Sequence, residues 1–136
     1  MIKVVYGHKG IGKTKYLITS ANNLLQECSG DIVYINHDDS LVTNLKHKIR
    51  YVNIKDFPIT TLTELYSFIC GLIAQNYDIN TIFVDGLAKF DVKQEDYPHF
   101  FDKIKFISEK YSTNFVFSIS GDISGIPEYV TKEYSI

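Results

Sequence analysis

Short apolar runs and longer amphipathic stretches alternate along the chain. Ile2 to Tyr6 is the first apolar run and predicts a buried strand. Lys13 to Glu27 follows as a predicted helix, with Leu17, Ala21, Leu24 and Leu25 on one face and Ser29-Gly30 as its stop. Ile32 to Ile35 predicts a second strand. The polar stretch Asn36 to Arg50 commits to neither period, and Tyr51 to Ile54 predicts a short strand. Thr61, with Glu64 three residues on, fits a capping box. The helix it opens carries Leu65, Ile69, Leu72 and Ile73 on one face until Asn76 to Asn80 break it. Thr81 to Val84 predicts a strand ending in Asp85-Gly86. Pro98 suits the first turn of a third helix, with Phe100, Ile104, Ile107 and Tyr111 at core spacing. Asn114 to Ser120 predicts the last strand, closed by Gly121-Asp122, and the tail through Pro127 reads as irregular.

Strands that are continuous apolar runs, alternating with helices, argue for an α/β fold with a sheet covered on both faces. Right-handed crossovers follow from strand twist. In such sheets ligands bind beyond the carboxyl ends of the strands. The loops after Tyr6, Ile35, Val84 and Ser120 are therefore expected on one edge. The 136 residues allow one domain, 1–136.

One of those loops carries a specific pattern. Gly7-His8-Lys9-Gly10-Ile11-Gly12-Lys13-Thr14 places two glycines with four residues between them before Lys-Thr, the Walker A arrangement. Glycines let successive N–H groups turn inward at phosphate oxygens. The helix opening near Lys13 adds its positive end. Lys13 can reach the β- and γ-phosphates, and Thr14 can present a hydroxyl to Mg²⁺. Gly7, His8, Lys9, Gly10, Ile11, Gly12, Lys13, Thr14 and Lys15 are the candidate nucleotide contacts. The motif sharpens the fold expectation to a three-layer P-loop NTPase with a mostly parallel, five-stranded sheet.

Asp85, at the end of Thr81-Ile82-Phe83-Val84, fits a Walker B strand and is the second candidate Mg²⁺ ligand beside Thr14. Ser118 or Ser120 would supply the polar residue that the additional-strand class of P-loop ATPases places near the γ-phosphate. Ser120 is preferred because it is nearer the strand end. Asn36-His37-Asp38-Asp39 follows a strand on the ligand edge and reads as a solvated turn with a possible substrate contact. Gly86 stands where additional-strand ATPases usually carry a water-orienting Glu, and Asp91, Glu95 and Asp96 are the nearest later carboxylates.

Composition narrows the function classes. A formal charge of −2 gives no bulk attraction to nucleic acid or to an anionic membrane. No secretory signal or membrane-length apolar run is apparent, and Cys28 and Cys70 show neither metal nor redox spacing. Both are expected as small buried hydrophobes within helices, in a cytoplasmic protein. Arg50, in the basic run Lys46-His47-Lys48-Ile49-Arg50, is the only arginine, so any catalytic arginine within the chain falls to it.

These residues carry a resemblance over nearly the whole chain. Gly7 to Thr14, Asp85 in its strand, His47-Lys48-Ile49-Arg50, and Ser120-Gly121-Asp122 to Pro127-Glu128 resemble a family of small stand-alone bacterial P-loop ATP-binding proteins, often labelled twitching-motility ATPases of the PilT type. The resemblance implies that Gly7, Gly12, Lys13, Thr14 and Asp85 contact nucleotide and Mg²⁺. Type IV pilus motors resemble the chain only in Walker A, so the motility label does not transfer. The expectation is Mg²⁺-dependent ATP binding with weak ATP hydrolysis, or hydrolysis stimulated by a protein partner or a further copy of the chain. A small-molecule kinase, such as one acting on a nucleoside, and a binding module that switches without turnover are the alternatives.

Overall fold

The computed structural model describes residues 1–8 and 12–135. The elements run β1 (Ile2–Gly7), α1 (Lys13–Glu27), β2 (Asp31–Asn36), β3 (Arg50–Asn53), α2 (Leu62–Gln75), β4 (Ile79–Val84), α3 (Tyr97–Tyr111), β5 (Asn114–Ser120) and β6 (Thr131–Tyr134). The strands form one six-stranded sheet in the order β3-β2-β4-β5-β1-β6, and every pairing is parallel.

Strand alternation divides the core into two layers. Val5, Ile32, Tyr34, Phe83 and Val116 face α1 and pack on Leu17, Ile18 and Ala21. Val4, Val33, Ile35, Ile82, Val84, Phe115, Phe117 and Ile119 face the other way, against Leu65, Ile69 and Ile73 of α2 and Phe100, Phe101 and Ile104 of α3. Phe117 receives Phe100 and Phe101 edge-on, at 5.8 and 5.3 Å between ring centroids. The capping box of Thr61 and Glu64 opens α2 as expected.

Two expectations need correction. The sheet has six strands, not five, because Thr131–Tyr134 of the supposedly irregular tail pairs with β1. Thr-Lys-Glu-Tyr has no apolar run to announce it. As an edge strand it is held by cross-strand partners instead: Lys3 Nζ lies 2.7 Å from Glu133 Oε2, Tyr16 donates to the same oxygen at 2.7 Å, and Tyr6 packs on Tyr134. The cysteines are half-buried, and Cys28 caps the end of α1 instead of lying inside it. Between β2 and β3, Leu45 and Ile49 are buried and pin the polar connector, while its charged residues stay exposed.

Candidate functional site

The carboxyl ends of β1, β2, β4 and β5 meet on one edge of the sheet. There β1 leads through the glycine loop into α1. Gly12, the residue before the helix, is left-handed at φ 93°, a conformation glycine adopts without steric cost. Among the described residues no side chain caps α1, and its first turn carries no acidic residue. The first backbone bond back along the helix is from Tyr16 N–H to Gly12 carbonyl, at 2.9 Å. The N–H groups at this end thus sit at the positive pole of a 15-residue helix. Lys9, Gly10 and Ile11, expected nucleotide contacts, lie outside the described residues.

Lys13 is the first helical residue and is buried. Its ammonium turns back into the loop and donates to the His8 carbonyl at 2.6 Å and the Gly7 carbonyl at 3.3 Å. Burial pulls its pKa below the ordinary lysine value, and the charge of Asp85 partly opposes this. Thr14 is half-buried beside it; His8 and Lys15 are exposed.

Asp85 follows β4 directly, and alternation turns it to the α1 side. It is 5 % exposed. Its backbone N–H bonds the Ile35 carbonyl at 2.9 Å, fixing it against the end of β2. Both carboxylate oxygens accept from hydroxyls: Tyr34 to Oδ2 at 3.0 Å and Ser118 to Oδ1 at 2.7 Å. Among the described residues no cation lies within salt-bridge distance of it; the one ion pair is Lys3–Glu133. Burial, with Asp85 close by, raises the Tyr34 phenol pKa well above the ordinary value.

The serine that touches Asp85 is Ser118, fully buried; Ser120, the preferred candidate, is exposed and stands opposite Gly7 in the β1–β5 register. Both belong to the edge, but only Ser118 reaches the carboxylate. Nearness to the strand end misled because the side chain that meets Asp85 must lie below the edge, inside the layer. Tyr34 was missed entirely. In an apolar strand a tyrosine reads as core, and nothing in the sequence aligns it with Asp85.

Gly86 is left-handed at φ 77°. Its N–H donates to Ser118 Oγ at 2.8 Å, and its carbonyl lies 3.0 Å from His37 Nε2. His37 is buried and meets the Phe90 ring edge-on at 4.8 Å. Burial lowers its pKa below the ordinary value. The Gly86 carbonyl opposes this, Lys89 and Lys55 add to it, and Asp85 opposes it. Asp38 forms the solvated turn, its Oδ1 accepting from Ser40 N–H at 2.9 Å and Ser40 Oγ at 2.6 Å.

Arg50 is exposed at the start of β3, opposite Val33 in the middle of β2. The parallel strands point away from it toward the loop edge, so it stands on the far side of the sheet from Lys13. Asp91, Glu95 and Asp96 do not join Asp85 either. They line a separate cavity of about 300 Å³ between the first turns of α2 and α3.

A buried carboxylate held by neutral hydroxyls, close enough to Lys13 for the two charges to interact, is a hard oxygen donor of the kind a divalent cation takes. Among the described residues, no group of three or more His, Cys, Asp or Glu side chains is placed to hold a metal ion. No helix in them is long and apolar enough to cross a membrane. Compared with known proteins, the chain matches no family model and no curated relative.

Proposed function

We propose that the chain is a P-loop protein that binds Mg²⁺ and a nucleoside triphosphate, ATP, at the β1–α1 loop. The observation that carries this reading is the convergence on one sheet edge of an uncapped helix N-terminus, a lysine turned into the preceding loop, and a buried carboxylate with no bonded cation. The helix end and Lys13 suit phosphate; Asp85 and Thr14 suit an ion that takes its other ligands from phosphate and water. β5 stands between β1 and β4, as the extra strand does in the additional-strand class.

When bound, Mg²⁺ would neutralise charge on the β- and γ-phosphates. The chain's own part is to bind the triphosphate with N–H groups and Lys13 and to orient the Asp85 carboxylate through its two hydroxyl donors. Turnover is slow in isolation on this reading. Gly86 offers no water-orienting side chain, and Arg50 can meet a nucleotide only across an interface with another copy or partner. The distance of Arg50 from the loop also argues against a kinase lid within the chain, although the cavity at α2 and α3 leaves room for a small acceptor.

Titration of ATP with and without Mg²⁺ tests the reading. Lys13→Ala should remove most triphosphate affinity, and Asp85→Asn should remove the Mg²⁺ dependence while the fold persists. Equal affinities in wild type and Lys13→Ala would overturn it.

A further inference from the structure

Tyr34 is 0 % exposed, in the layer between sheet and α1. Its ring lies between Phe83 at 5.9 Å and Tyr51 at 6.5 Å, nearly parallel to both. Phenylalanine would fill this slot as well. The hydroxyl is thus an extra polar group in an aromatic stack, and burying it is unfavourable unless it is bonded. Its bond is to Asp85 Oδ2. Tyr51, next in the same stack, offers an internal comparison: its hydroxyl is buried with no partner among the described residues.

The chemistry of the donors matters. A lysine or arginine paired with Asp85 would orient the carboxylate but cancel its charge. Neutral hydroxyls orient it and leave the charge for another cation. The aromatic stack fixes where the Tyr34 hydroxyl can be, so it fixes the Oδ2 side of the carboxylate. Ser118 fixes the other side.

We propose that Tyr34 is a positioning residue, whose hydroxyl, held by the Phe83–Tyr34–Tyr51 stack, aims the Asp85 carboxylate at the nucleotide-bound Mg²⁺. This rests on the proposed Mg²⁺·ATP reading of the site. It assigns Tyr34 a role in metal affinity and none in direct nucleotide contact.

The test compares wild type, Tyr34→Phe and Tyr51→Phe. ATP affinity is measured against free Mg²⁺, and again in excess chelator, with Mn²⁺ as a paramagnetic probe of the same ion site. Tyr34→Phe should raise the Mg²⁺ concentration for half-saturation about tenfold, in the range of outer-shell substitutions at metal sites. It should alter the Mn²⁺ spectrum of the ATP complex and leave the chelator affinity unchanged. Tyr51→Phe should match wild type throughout. A Tyr34→Phe protein with wild-type Mg²⁺ dependence, or with equal losses in both arms, overturns the role while leaving the ATP reading intact. Wild-type protein that binds ATP without any Mg²⁺ dependence overturns both. The absorption spectrum supplies a further check. The chain has ten tyrosines and no tryptophan, so absorption on the long-wavelength side of the adenine band reports tyrosine, and the Tyr34→Phe difference spectrum isolates Tyr34. Adding Mg²⁺ to the ATP complex should shift a tyrosine band, and an unchanged spectrum counts against the proposal.

Discussion

Ser118 serves two consecutive residues at once: its hydroxyl donates to Asp85 Oδ1 and accepts the N–H of Gly86. One oxygen thus fixes both the carboxylate and the backbone turn that follows it. Ser118→Ala leaves a buried N–H and a carboxylate oxygen each short of a partner. Denaturant unfolding should show a loss of about 1–3 kcal/mol. Ser120→Ala, at an exposed position, should stay within about 0.5 kcal/mol of wild type. Equal effects of the two would mean that the Ser118 bonds contribute nothing to stability.

Lys13 sets function against stability. Its folded pKa lies below the ordinary value of 10.5, so between those two pKa values the unfolded chain holds more protons and stability rises with pH. Below both values the charged form carries a constant penalty. Lys13→Met should therefore unfold at the same denaturant concentration as wild type or a higher one, while losing triphosphate affinity. A clear fall in the midpoint would show that the bonds to Gly7 and His8 outweigh the burial of the charge.

His37 gives a pH dependence of known sign. Burial lowers its folded pKa below 6.5, with the Gly86 carbonyl and Asp85 opposing and Lys89 and Lys55 assisting. Its contribution is fully present above 6.5 and is lost as pH falls from there through the folded value. Asp38, hydrogen-bonded to Ser40, titrates lower. Thermal unfolding followed from pH 7 to 5 should show a fall in Tm that His37→Gln reduces. An unchanged slope in the variant would place the acid sensitivity elsewhere.

Gly86 is constrained as well as permissive. A Cβ there would sit 2.9 Å from Lys89 Cδ and 3.2 Å from His37 Cδ2, at a φ that disfavours side chains. Lysine can swing away, but His37 is tied to the Gly86 carbonyl. Gly86→Ala should destabilise by about 1–3 kcal/mol, read by denaturant unfolding. A neutral result would mean that the turn relaxes freely. The same geometry explains why a water-orienting glutamate does not fit this turn as built.

Much of the sheet was readable because buried parallel strands advertise themselves. Ile2–Gly7, Asp31–Asn36 and Asn114–Ser120 are apolar runs, and α2 carries its capping box in Thr61 and Glu64. β6 was not readable, since an edge strand of Thr, Lys, Glu and Tyr is specified by what it pairs with. The glycine loop and Asp85 were visible as local patterns. Tyr34 was not singled out, and Ser118 was named only beside the preferred Ser120, because their significance lies in meeting Asp85 across β2, β4 and β5. That meeting is a property of strand order and register.

The strand that begins the chain finds both its neighbours at the other end. Ile2 pairs with Phe115 on one side, and Lys3 with Thr131 on the other. No strand near Gly7 in sequence pairs with β1. During synthesis the glycine loop therefore leaves the ribosome long before the strands that seat it, and its N–H groups cannot be ordered by the sheet until residues beyond 114 are free to dock. Such non-local closure slows folding. The site is made well ahead of the strands that complete it and is assembled only after them.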